Sequence, residues 1–475
     1  MMSLWEIRWL EVAVAFPLVG AILSAFMRDS RRAFPFSITC TALAFAGCLI
    51  AWAGVYAVPA PSAPLGLLPS GMTKWHLTLD RFNGPIAVTT SLMYFLIVLV
   101  TARTKMQRFS FTWTLLAEAI QLAVFGATEP WVLIGLLTAG TIPPFVTLIR
   151  RNESTRAYCL HMGMFITLMI SGWSLVEADA TLTSAAAVLL FGAVLVRCGT
   201  FPVHSWVVDW CERASMGNAL LFLVPLNGVY FAVRLVLPIA PDWVLSGIGI
   251  ASLITALYSA AMSTIQREAR RLFAYLFLSH ASLVLVGLEL HTTIALTGAL
   301  SMWFSVTLAL GGLGLTLRAL EARFGRLHLH RYLGLYEQCP ALAICFLILG
   351  LAVVGFPGTL GFVAGELLVD GAVGSNLAVG VVVVLAGALN GIAVVRAWFL
   401  IFTGTRHESS IGMNTTPRER VAAVVLMFLV VGGGLFPQPG IVSRYESARK
   451  ILHERAQRLA VPEEDETAEQ GEILE

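Results

Sequence analysis

Residues 191–206, FGAVLVRCGTFPVHSW, form a long apolar run with Arg197 near its middle. A Gly199-Thr200-Phe201-Pro202 break follows, and then His204. A charge inside a membrane-length segment is costly, and such a residue marks a candidate ion pathway. A proline at the same place frees backbone groups that neighbours must satisfy. A second segment has the same character: Gly355-Phe356-Pro357-Gly358 leads to Glu366. Two interrupted hydrophobic helices in separate halves of a chain point to a transporter built from internal repeats.

Each ionisable residue in an apolar segment admits a chemical and a structural role. Arg197 needs a counter-charge or a wet cavity. Glu118, about nine residues into its own segment, is the partner best placed by depth. Arginine keeps its proton, so Arg197 either sets the field along an ion path or locks two helices as an ion pair. Glu366 is the best proton carrier in the chain if it lies in an apolar surround. The alternative is a carboxyl near a helix end facing water, since Asp370 lies four residues on. His204 either carries protons near neutral pH or caps the broken helix. His280, in Ser279-His280-Ala281, is a relay or a packing residue, and His161 is more readily a packing residue. Arg234 and Arg396 lie towards segment ends, where snorkelling suffices. The candidate path residues are therefore Glu118, Arg197, His204, His280 and Glu366. No phosphate-binding loop, dinucleotide fingerprint, zinc spacing, haem or flavin signature is present, so no catalytic residue, cofactor or metal is expected.

These residues need a membrane scaffold. The 475 residues are 57% hydrophobic and 13% charged, with mean hydropathy +0.79. A soluble protein is about 25% charged, so the chain reads as an all-α integral membrane protein. Its net charge of +2 gives no reason to expect nucleic acid. The seven cysteines mostly sit in apolar runs without a C-x-x-C pair and read as small core residues. Fourteen apolar segments approach the ~20 residues a bilayer needs. They lie near 9–27, 34–57, 82–102, 109–127, 130–149, 157–176, 183–206, 217–239, 243–264, 272–290, 292–317, 341–369, 377–402 and 421–438. The proline-rich stretch 58–72 reads as a loop and 318–333 as an amphipathic connector. A polar helix-like stretch follows at 443–460, then an acidic tail at 461–475 that reads as disordered. Trp5, Trp9, Trp75, Trp206, Trp210 and Trp243 fall near segment ends, as an interfacial belt does. Twenty lysines and arginines fall in alternate loops, while the intervening loops carry only Lys74 and Arg81. The positive-inside rule places the basic loops in the cytoplasm and both termini on the far side. The five bases of 444–458 then run against that trend.

At these residues the chain resembles the proton-conducting membrane transporter family. That family comprises the antiporter-like subunits of respiratory complex I, especially the chain M type, the Mrp cation antiporters and membrane-bound hydrogenase subunits. Four passages carry the resemblance, which spans about residues 80–440. They are Phe201-Pro-Val-His-Ser-Trp206 with Asn218-Ala-Leu-Leu221, Arg270-Arg-Leu-Phe-Ala-Tyr275 with Ser279-His280, Gly355-Phe-Pro-Gly-Thr359 with Gly361-Phe362 and Glu366, and Leu435-Phe-Pro-Gln-Pro439. The resemblance implies two inverted five-helix repeats, each with a broken helix. Residues 1–108 would hold helices 1–3, 109–239 the first repeat, 240–404 the second, 405–440 the last helix and 441–475 the tail. It also implies a line of charged residues. The family's span-5 glutamate falls on Thr138, its span-7 lysine on Arg197 and its span-8 lysine near Leu226, with Asn227 beside it. The span-11 position falls near Val306, and the span-12 acid is kept as Glu366, one residue later after Phe362 than usual. Ser215 replaces a usual proline. Either a shortened route uses Glu118, His204, His280 and Glu366, or the chain is a divergent scaffold.

The implied function is a multi-pass subunit of the cytoplasmic membrane that moves protons or monovalent cations beside other membrane subunits. It would have no redox centre of its own; whether it serves an NADH-quinone oxidoreductase stays open. The alternative is a membrane anchor for a soluble partner, as in the family's offshoot for inorganic carbon uptake.

Overall fold

Helices start and stop where the apolar runs meet glycine, proline and polar caps. A computed structural model of the chain describes residues 8–27, 29–57, 77–102, 106–107, 109–176, 183–290, 292–404 and 415–459. The 58–72 stretch, Trp5, Lys74, Trp75 and the 461–475 tail lie outside the described residues. Within them the protein is all-helical, apart from two isolated bridges, Leu77 with Ala127 and Glu268 with His328.

The first helices are α1 (Trp9–Ala25), α2 (Ser30–Ala57), α3 (Asn83–Leu99) and α4 (Phe111–Gly126). Next come α5 (Pro130–Ala139), α6 (Ile142–Arg150), α7 (Arg156–Ser174), α8 (Ser184–Cys198) and α9 (Ser205–Arg213). Helices α10 (Met216–Leu223) and α11 (Asn227–Phe231) are joined through Leu226, and a wide π turn over Ala232–Val236 follows. Then come α12 (Asp242–Ile265), α13 (Ala269–Glu289), α14 (Thr293–Ser305), a π turn over Val306–Leu310 and α15 (Gly311–Phe324). The last are α16 (Pro340–Val353), α17 (Leu360–Ser375), α18 (Leu377–Phe402), α19 (Pro417–Leu435) and α20 (Gln438–Leu459).

Seven stretches among the described residues are long and apolar enough to cross a bilayer on their own: Ser30–Ala57, Pro130–Arg150, Met216–Val236, Asp242–Ile265, Ala269–Glu289, Thr293–Phe324 and Leu377–Phe402. The chain is thus a multi-pass membrane protein. Shorter apolar helices α1, α3, α4, α8 and α16 pack among them. Helix α12 lies against α13 and α18, α14 against α17, α1 against α2 and α4, and α7 against α8.

Polar contacts sort the loops into two ends. At the basic end, Arg270 forks onto Glu321 at 2.7 Å and donates to the Ala214 carbonyl at 2.7 Å. Arg323 pairs with Glu419 at 2.6 Å, and Arg271 with Glu212. Arg318 donates to the Ile97 carbonyl at 2.7 Å and to Thr101 Oγ1 at 2.9 Å. The expectation of a connector over 318–333 is corrected here: 318–324 is the last part of α15. Its arginine is satisfied by α3, so the helix continues past the apolar run.

Helix α20 lies across the opposite end, bent 77° from α19. Two of its arginines account for two of the five bases that run against the charge trend. Arg455 donates to the Leu237 and Ala240 carbonyls at 2.7 Å each and pairs with Asp242 at 2.6 Å. Arg444 donates to the Phe82 carbonyl at 3.0 Å. Both are buried: Arg455 satisfies carbonyls where the π turn ends, and Arg444 ties α20 to the backbone just before α3. At this end Asp80 accepts from Arg234 Nη2 at 2.6 Å and from the Phe82 and Asn83 N–H groups.

Burial pushes the Asp80 carboxyl up, but Arg234 and those N–H groups outweigh it and hold it below the usual carboxylate range. A depressed folded value means the stabilisation is whole at neutral pH and is lost as pH falls through that value. The melting-temperature gap between wild type and Asp80→Asn should therefore be widest near neutrality and close on acidification. A gap that stays constant into strong acid would contradict this.

Candidate ion-translocation site

Helix α8 ends at Gly199, whose left-handed backbone (φ 67°, ψ 41°) suits glycine. The break brings Arg197 against the element that crosses it. Gly228 is the close-approach point: a Cβ there would meet Cys198 Sγ at 2.5 Å and the backbone of Arg197 and Cys198 at 3.0–3.1 Å. Leu226, at φ 51°, makes the turn that swings Asn227 and Gly228 into place. A leucine in that region is strained, and the surrounding packing holds it there.

Arg197 is 6% exposed. Its guanidinium lies over Phe222 at 4.6 Å, Trp206 at 5.8 Å and Phe165 at 6.0 Å from the ring centroids. The expected pairing with Glu118 does not form, and Arg197 has no ion-pair or hydrogen-bond partner among the described residues. Depth alone does not say which faces of two helices meet. Glu118, fully buried, turns towards α3, where Ser91 Oγ donates to its Oε1 at 3.2 Å. Its Oε2 has no hydrogen-bond partner among the described residues. Trp206 and Trp210 are each 1% exposed and belong to the core, not to an interfacial belt. Trp206 Nε1 donates to the Val196 carbonyl at 3.0 Å, which keeps its ring beside Arg197. Trp243 is exposed, as expected of the belt.

One turn beyond Glu118, Gln121 forms a reciprocal amide pair with Asn227, at 2.7 and 2.9 Å. Asn227 lines a cavity of about 20 Å³ with Arg197, Trp206 and Gly228. Gln121 lines another of about 40 Å³ with Tyr94, Trp210 and Phe222, beside the α5/α6 junction. A water needs about 10–15 Å³ measured this way, so each cavity has room for one or a few. The sequence reading missed this amide pair, since it scored charges only. Two amides within apolar segments were the available signal.

The second half is organised by His280. Its Nδ1 lies 2.8 Å from the Leu276 carbonyl and its Nε2 2.9 Å from the Val353 carbonyl. Val353 is the last residue of α16, so His280 caps the second broken helix. Only the doubly protonated ring donates at both nitrogens; a neutral ring leaves one carbonyl facing a lone pair. Beside it Ser279 Oγ donates to the Ala256 carbonyl at 3.0 Å and accepts from Asn390 Nδ2 at 2.8 Å.

His204 makes no cap bond to α9. It stacks on Phe201 and meets Tyr258 edge-on at 5.1 Å. His161 contacts the Ala157 carbonyl at 2.8 Å, as a packing residue would. Glu366 lies on the outward face of α17, exposed in the isolated chain, because Gly361, Ala364 and Leu368 form the buried line. Asp370 shares that outward face. The structure thus gathers Arg197 with Gln121 and Asn227, and leaves Glu118, His204 and Glu366 each in separate surroundings.

Replacing Gln121 with Leu strands the Asn227 amide and should lower stability by about 1–3 kcal/mol. The double variant Gln121→Leu/Asn227→Leu should lose less than the two single losses added together. Denaturation in detergent reads both, and strict additivity would contradict the pair.

The sequence profile described as "NADH:quinone oxidoreductase/Mrp antiporter, TM" matches residues 157–390. NADH-quinone oxidoreductase subunit 13 of Thermus thermophilus is 28% identical over 330 residues, covering 64% of this chain and 69% of that protein. An NAD(P)H-quinone oxidoreductase chain 4 of Nostoc sp. is 23% identical over 485 residues, covering 92% and 90%. A chain of respiratory complex I from Thermus thermophilus superposes with TM-score 0.83 at 21% identity, over 94% of this chain and 99% of that one. A chain of the Mrp complex from Dietzia sp. superposes with TM-score 0.83 at 17% identity, over 97% and 100%. The interrupted helices, the buried arginine and these matches agree: residues 157–390 carry the transmembrane segment of the NADH:quinone oxidoreductase/Mrp antiporter family, and the chain as a whole is similar, at low identity, to the membrane subunits of those complexes.

Proposed function

We propose that this chain is a membrane subunit that moves protons or monovalent cations within a multi-subunit complex. The observation that carries the reading is Arg197, a buried cation without a carboxylate, beside a small cavity and the Gln121–Asn227 pair. A structural arginine would be expected to have its charge neutralised by a neighbour. An arginine left unpaired in a membrane interior sets a field that shapes where waters and ions sit.

The proposed arrangement has fourteen spans, with α8/α9 and α16/α17 each counted as one broken span. Spans 4–8 and 9–13 form two inverted repeats. The chain sits in the cytoplasmic membrane with its basic end inward and both termini outside. The proposed route passes the cavity at Gln121, the amide pair and Arg197. It crosses the wall formed by Phe277 and Ala281 of α13, reaches His280 and the α16 break, and leaves by Glu366. Gain of a proton at His280 tightens its hold on the α16 end, and loss loosens it. Glu118 and His204 would border this route without completing it. An acid on the outer face of a span needs a cover, and a neighbouring membrane subunit supplies one.

A second reading, a non-conducting anchor for a soluble partner such as an inorganic-carbon uptake protein, draws on Thr138, Leu226 and Val306. None of these titrates, although the resemblance implies charged residues there. Flux measured with the assembled complex in sealed liposomes separates the two readings. Glu366→Gln should lower flux about tenfold or more while assembly persists. Unchanged flux removes Glu366 from the route, and a wild-type complex that carries none favours the anchor.

A further inference from the structure

Helices α12, α13 and α18 meet along a polar seam beside both breaks. Thr255 of α12 accepts the Phe201 N–H of the first break at 2.8 Å. The carbonyl of the next residue, Ala256, accepts from Ser279 Oγ at 3.0 Å, and Ser279 precedes His280, which caps the second break. Ser279 Oγ in turn accepts from Asn390 Nδ2 of α18 at 2.8 Å. Asn390 is fully buried, and its Oδ1 has no hydrogen-bond partner among the described residues. Turning the amide over would give its oxygen to Ser279 but strand its nitrogen, and would take the Ser279 proton from the Ala256 carbonyl. One Asn390 atom is thus unpaired in either orientation. Ser259, three residues beyond Ala256, shares its helix face and is fully buried as well. Its Oγ likewise has no hydrogen-bond partner among the described residues. A helix carbonyl points towards the C-terminal end of its helix, so the Ala256 carbonyl brings Ser279 and Asn390 to the turn that carries Ser259. Small side chains flank these groups: Ala256 and Ala260 on α12, Ala386 and Ala393 on α18, all fully buried.

Leaving buried polar atoms unpaired is costly, and ordered water is the partner that buried groups commonly take when the protein supplies none. An amide oxygen accepts, and a hydroxyl both donates and accepts, which is the set a water matches. We propose that this seam binds a buried water shared by Asn390 Oδ1 and Ser259 Oγ, which completes the polar tie between the two breaks. A monovalent cation fits less well, because neither group carries negative charge to balance it. The site holds whether or not the chain conducts, since the two atoms need a partner in either case.

The test uses the full chain in its complex, held in nanodiscs. An electron cryo-microscopy map fine enough to show ordered water should carry density about 2.8 Å from Asn390 Oδ1 and from Ser259 Oγ. Chemical denaturation of Ser259→Ala and Asn390→Leu gives a second reading. In a dry seam, removing an unpaired hydroxyl stabilises the fold; beside a bound water, it strands the other partner and destabilises. S259A should therefore shift the denaturation midpoint down and weaken the density. S259A and N390L together should lose less than their two separate losses added, although no direct bond joins the residues. An S259A complex as stable as wild type or more so, with no density at the site in wild type, would overturn the water. A wild-type midpoint that rises in sodium over potassium at equal ionic strength, with the rise absent from N390L, would overturn water as the occupant and assign a cation.

Discussion

The structure depends on the burial of Arg197 against aromatic faces with no carboxylate to neutralise it. Taking a guanidinium out of water costs several kcal/mol even after relaxation. A desolvated cation–π contact returns about 2 kcal/mol or more, and the three contacts here are not additive. Aromatic faces therefore offset part of the cost, and the small cavity beside Asn227 has room for a water that offsets more. The neighbourhood follows from that need. Gly199 ends the helix, Gly228 lets the next element come within contact of its backbone, and Trp206 is pinned by the Val196 carbonyl so that its ring stays over the charge.

Every other buried cation in the described structure with a printed contact is satisfied by oxygen. Arg270 and Arg323 fork onto glutamates, Arg318 and Arg444 donate to carbonyls, and Arg455 does both. These lie at the two ends of the bundle and hold helix ends in register. His280 does similar work at the second break, where it caps α16. In the interior, by contrast, Arg197 and the Oε2 of Glu118 have no hydrogen-bond partner among the described residues. The ends are tied by ionic contacts, and Arg197 in the middle is held by aromatic faces alone. A transport path needs that distribution.

Hydropathy was enough to mark the chain as an all-helical membrane protein, and Gly/Pro punctuation placed the breaks after Cys198 and Val353, since the bilayer allows few ways to satisfy backbone groups. Arg197 was legible for the same reason. Its aromatic surroundings, in place of the expected Glu118, were not, because depth along a helix leaves its rotation free. The outward face of Glu366 was readable in principle from Gly361, Ala364 and Leu368, whose helical spacing marks the buried side opposite it. Arg318 escaped because an arginine ends an apolar window even when its head is capped by carbonyls of another helix. Trp206 and Trp210 were misplaced because an indole beside a helix break serves a core as well as an interface. The Gln121–Asn227 pair joins residues far apart in the chain, and only tertiary packing brings them together.

The central claim is that Arg197 is kept at a cost to stability because its charge works on ions. The most direct measurement is ion flux through the assembled complex carrying Arg197→Met, with thermal stability recorded on the same sample. The account predicts a complex as stable as wild type or more so, with flux abolished. Flux at the wild-type level would contradict it, for the buried charge would then serve packing alone.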